Sequence, residues 1–99
     1  MYYLNARYYN PQWRRFVKMT KKEYILDCLI DDDEAFTQIL EYFALAAEIK
    51  ISPLELKKML NEMVEEGYIF INYSWKTERD EYPYSLTEKG RTAWNNLQK

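Results

Sequence analysis

Histidine is absent from the 99 residues, and with it the commonest general base and the commonest metal ligand. Cys28 is the single cysteine, so no intrachain disulfide forms, and neither a zinc site nor a Cys–His nucleophile can be assembled. Its apolar neighbours mark it as a buried thiol of a reducing compartment. Glycine occurs only twice, too rarely for a phosphate-cradling loop, and Gly67 and Gly90 read as a helix stop and a packing position. No apolar run approaches the ~18 residues of a membrane-spanning helix. Met1–Phe16 is aromatic and basic and lacks the apolar centre of a secretion signal. These absences lead to the expectation of a cytoplasmic, non-enzymatic chain with no metal, no cofactor and no membrane partner.

What is present fits one small folded domain. Apolar residues make up 47% of the chain and aromatics 17%, well above the composition of a disordered segment. Net charge is −2, yet it is unevenly spread. Met1–Tyr24 carries six basic residues and one acidic, while Ile25–Glu81 carries five basic and fourteen acidic. A basic arm, taken as residues 1–19, therefore precedes an acidic body, residues 20–99. An acidic body is a poor nonspecific ligand for nucleic acid and suits a basic protein partner.

Helix signals follow in order along the body. Thr20 and Glu23 have the spacing of a capping box, and Ile25, Leu26, Leu29 and Ile30 form an apolar stripe. Asp31-Asp32-Asp33-Glu34 ends that helix and favours the start of the next; without the spaced Asp/Asn and glycine of a calcium loop it reads as a solvated junction. Phe36, Ile39, Leu40, Phe43, Ala44 and Ala47 give a second stripe. Ile49-Lys50-Ile51 has room for a very short strand. Ser52, Pro53 and Glu55 open a third helix with a second capping box, whose core stripe is Leu56, Met59, Leu60, Met63 and Val64. Gly67 stops it.

A β pattern covers Tyr68–Trp75, with a polar tip at Lys76–Glu81 and a return strand at Tyr82–Leu86, which Pro83 restricts to an edge. Thr87 caps a last helix with Trp94 and Leu97 on one face. The predicted fold class is α+β, mainly α: three helices, a β-hairpin and a closing helix.

This order resembles the winged helix-turn-helix superfamily. Residues 60–69, LNEMVEEGYI, are similar to the end of a recognition helix entering the first wing strand. Residues 84–91, YSLTEKGR, are similar to the second wing strand and following helix of MarR- and PadR-like regulators. The resemblance implies a small transcriptional regulator that binds double-stranded DNA as a homodimer. The second helix is longer than is usual there, and the third is acidic at its end. A separate resemblance covers residues 2–16, where YYLNARYYNP followed by Arg15-Phe16 is similar to the core signature of Rhs/YD-repeat proteins. It implies a link to a toxin locus and, with the acidic body, gives a second reading as a non-enzymatic protein-interaction module of the immunity-inhibitor type.

For DNA, the third helix would offer Lys57, Lys58 and Asn61 to the major groove, lysine for phosphate or guanine and asparagine for adenine. Lys76 and Arg79 at the wing tip would meet a neighbouring phosphate. The same helix face also reads as an ordinary polar surface with Lys58 and Glu62 paired across one turn. Tyr8, Tyr9 and Trp13 in the arm, with Trp94, are the candidate surface for a second copy or a partner.

Overall fold

The computed structural model describes residues 19–46 and 49–97. Its elements are α1 (Lys21–Leu29), α2 (Phe36–Leu45), α3 (Pro53–Glu65), β1 (Ile69–Ile71), β2 (Tyr84–Leu86) and α4 (Glu88–Leu97).

α1 opens on the expected capping box. Thr20 Oγ1 accepts the Glu23 N–H at 3.1 Å, and Glu23 Oε1 accepts the Thr20 N–H at 2.9 Å. The helix then runs through the middle of the molecule, with all six residues from Tyr24 to Leu29 buried. That is wider than the expected stripe, as befits a helix covered on several sides. Cys28 is fully buried, as expected.

The acidic run is less solvated than its composition suggests. Asp31 and Asp32 are exposed but Glu34 is buried, where its carboxylate accepts the Tyr42 hydroxyl at 2.9 Å. Its backbone forms an isolated bridge to Tyr84, with Tyr84 N donating to Glu34 O at 2.8 Å. This short contact takes the free edge of β2. The strand considered at Ile49–Ile51 does not form; Ile49 and Ile51 instead pack their side chains against the core.

α2 buries Ile39 and Phe43, while Phe36 and Leu40 pack at the core margin. Ala44 is exposed, contrary to the stripe, because the chain turns extended at Ala46 and the last turn clears the core. Ala47 lies outside the described residues. α3 starts on Ser52, whose Oγ accepts the Glu55 N–H at 3.1 Å. Only half of the expected second capping box forms, since the Glu55 carboxylate turns to Lys21 Nζ at 2.6 Å. Leu56, Leu60 and Met63 are buried. Gly67 stops the helix at φ +85°, a left-handed conformation that L side chains resist.

The hairpin pairs Ile69 with Leu86, Phe70 with Ser85 and Ile71 with Tyr84. Both strands are shorter than their sequence patterns. Asn72 Oδ1 takes the Ser74 N–H at 3.0 Å, a local turn that competes with the ladder and ends β1. β2 has β1 on one side and Glu34 on the other, so it is not the edge that Pro83 suggested; Pro83 stands just before it and is buried. Gly90 packs as expected: a Cβ there would meet Tyr68 O at 2.2 Å. Trp94 Nε1 donates to the buried Asp27 Oδ1 at 3.1 Å and so joins α4 to α1.

Candidate nucleic-acid interface

α3 separates its two faces cleanly. Leu56, Leu60 and Met63 point into the core, while Leu54, Lys57, Lys58, Asn61 and Glu65 are exposed. Lys57 Nζ lies 5.6 Å from the ring centroid of Phe36 on α2, a weak attraction at an exposed site. Lys58 makes no ion pair among the described residues, Glu62 included, and Asn61 makes no side-chain hydrogen bond among them.

Charge is graded along the helix. In the first turn, the Glu55 carboxylate is matched by Lys21, whose hydrogen bond holds its pKa below the usual range. The lysines and the positive end of the helix dipole then share the N-terminal half. Glu62, Glu65 and Glu66 gather at the other end, with Lys22 Nζ 3.4 Å from Glu66. The N-terminal half is therefore the part of α3 that an anion would approach.

The wing tip is differently disposed. Lys76 Nζ sits 3.1 Å from Asp80 Oδ1 and 5.0 Å from the Tyr82 ring centroid, and the hydrogen bond to Asp80 raises its pKa. Arg79 Nη1 is 2.8 Å from Glu41 Oε2 on α2. Glu81 also reaches α2, accepting the Thr37 N–H at 3.2 Å and the Thr37 hydroxyl. With Ala35 at the N-cap of α2, no side chain there can supply a cap; Gln38 and the wing's Glu81 supply the acceptors instead. The wing is thus latched to α2, and its two expected phosphate-binding residues face carboxylates of their own chain.

Of the five expected DNA-facing residues, Lys57, Lys58 and Asn61 share an open helix face, whereas Lys76 and Arg79 are engaged. Tyr8, Tyr9 and Trp13 lie outside the described residues, as does the YD-repeat resemblance of residues 2–16. Trp94 is half-buried, with its indole N–H committed to Asp27. Sequence reasoning missed Leu54 and the latch. Leu54 was findable, because it sits two residues before Leu56 and so on the opposite side of the helix. The Glu41–Arg79 pair spans the fold and leaves no local signature.

Among the described residues, no group of three or more Cys, Asp or Glu is arranged to hold a metal ion, and no helix is long and apolar enough to cross a membrane. An open cleft of about 520 Å³, lined in part by Leu26, Met63, Tyr68 and Ala93, takes in none of the outward residues of α3.

Helices, bridge, hairpin and closing helix define a winged helix-turn-helix. The fold is similar to that of Bacillus subtilis PadR in complex with operator DNA, with a TM-score of 0.66, 21% identity, and coverage of 78% of this chain and 44% of that one. It is also similar to Lactococcus lactis ZitR, a zinc-responsive MarR family member, with a TM-score of 0.61, 29% identity, and coverage of 83% of this chain and 53% of that one. The match therefore spans 44% and 53% of these neighbours' own lengths. No protein-family model and no curated protein matches the chain. None of these findings supports the YD-repeat resemblance, the inhibitor reading attached to it, or a basic protein partner.

Proposed function

We propose that the chain is a winged-helix DNA-binding regulator that lays the N-terminal half of α3 in the major groove. The observation that carries this reading is the open face of Lys57, Lys58 and Asn61, beside the positive end of the helix dipole. The two lysines supply phosphate or guanine contacts and Asn61 is matched to adenine. The likeness of fold to PadR, solved in complex with operator DNA, supports DNA as the ligand. Lys76 and Arg79 act as supplementary phosphate contacts. Because Asp80 and Glu41 already match their charge, they add less net attraction than the α3 lysines. The active form is a homodimer, which sets two recognition helices on successive groove faces; light scattering at micromolar protein tests this. The candidate surface for the second copy is Tyr8, Tyr9 and Trp13 of the arm with Trp94 of α4.

The zinc response of ZitR is not carried over to this chain. This chain has no histidine, and its one cysteine is fully buried, so the usual zinc donors are missing. The test of the DNA reading is binding to labelled duplex DNA from upstream of the protein's own gene, with Lys57→Glu/Lys58→Glu as the comparison. Loss of binding in the double variant supports the assignment to α3. Equal binding by both proteins contradicts it.

A further inference from the structure

Leu54 is 82% exposed, the highest value among the large apolar side chains of the described residues. It occupies the second position of α3, between Pro53 and Glu55, with Ser52 as N-cap. Lys57, Lys58 and Asn61 follow at i+3, i+4 and i+7, so Leu54 heads the same outward stripe. A single exposed leucine is ordinary on a protein surface. Its placement is what gives this one meaning, because first-turn residues of a recognition helix are those that reach base edges.

The major groove offers one apolar group, the C5-methyl of thymine. A second protein copy is a poorer match for Leu54. Stable interfaces need apolar patches of several hundred Å², and the next three outward residues on this helix are two lysines and an asparagine. A methyl group is small enough to be covered by one leucine while the adjacent lysines hold phosphate or guanine. On the DNA-binding reading above, on which this inference rests, we propose that Leu54 is a specificity-determining residue that packs on a thymine methyl. Asn61, two turns further on, reads adenine. The half-site preferred by this chain then sets a thymine where the start of α3 meets the groove and an adenine near the middle of the helix.

Uracil lacks only that methyl, so the test uses one duplex made in two forms. The region upstream of the gene is amplified once with thymidine and once with deoxyuridine triphosphate, and each product is titrated with wild type and with Leu54→Ala. Burying one methyl contributes roughly three- to fivefold in affinity. Wild type is therefore expected to bind the thymine duplex at least that much more tightly than the uracil duplex. Leu54→Ala is expected to bind both alike, at about the wild-type affinity for uracil. Its thermal midpoint should match wild type, since the side chain packs on little of its own chain.

Equal wild-type affinity for the two duplexes overturns the inference while leaving DNA binding intact. Retention of the thymine preference by Leu54→Ala does the same. Dissociation of a dimer by that substitution would assign Leu54 to contact between copies and also overturn it. Binding to neither duplex removes the DNA reading itself and this inference with it.

Discussion

Individual residues carry sharply different amounts of the structure, and glycine at position 90 shows this best. Its Cα lies so close to the chain just before β1 that an added Cβ would stand 2.2 Å from Tyr68 O and 3.1 Å from Leu86 Cδ2. The first obstacle is backbone and cannot rotate away. Gly90→Ala is expected to lower stability by about 1–3 kcal/mol or more, read as a reduced urea midpoint with an unchanged slope. Glu55 is a milder case. Lys21 holds its carboxyl below the ordinary carboxylate pKa, so its stabilising effect is present above the unfolded value of about 4.3 and fades as pH falls through the lower folded value. Both partners are substantially exposed, so the effect is small. Glu55→Gln should flatten the stability profile on the acid side of about pH 5 and leave it nearly parallel to wild type above that.

Elements were legible where a signal is local. Capping at Thr20 and Ser52, the stop at Gly67 and the buried face of α3 follow from spacing alone, and each is where the sequence put it. Strand lengths were not legible, because Asn72 ends β1 through its own side chain and Glu34 closes on β2 from a distant part of the chain. The latch between wing and α2 was invisible for the same reason: Glu81 and Thr37 are 44 residues apart. It makes a prediction at the level of elements. Glu81→Ala leaves the Thr37 amide without its cap, so amide hydrogen exchange should quicken in the first turn of α2 and along residues 76–82. Exchange in α1 and in the centre of α3 should stay as in wild type. Uniform quickening across the whole chain would mean that the wing is part of the global fold and not a latched appendage.

At the scale of the molecule, the placement of charge says more than its sum. A net charge of −2 argues against a phosphate ligand, yet the carboxylates are not evenly placed. Glu34 is buried and bonded to Tyr42, Glu41 and Asp80 face the wing's own cations, and Glu55 is matched by Lys21. What remains open at the start of α3 is cationic and amide, beside the apolar Leu54. The sequence identified three of those residues, Lys57, Lys58 and Asn61, because helical periodicity separates an outer face from a core face. It did not identify which of the basic residues were already engaged, since that depends on contacts between distant segments.

The most direct test is a pair of titrations of labelled upstream duplex, at about 50 and about 200 mM salt, with wild type and Lys57→Glu/Lys58→Glu. The account predicts tight wild-type binding that weakens steeply with salt, and its loss in the double variant at both concentrations. Absence of wild-type binding at the lower salt, or a double variant that binds as well as wild type, would contradict it.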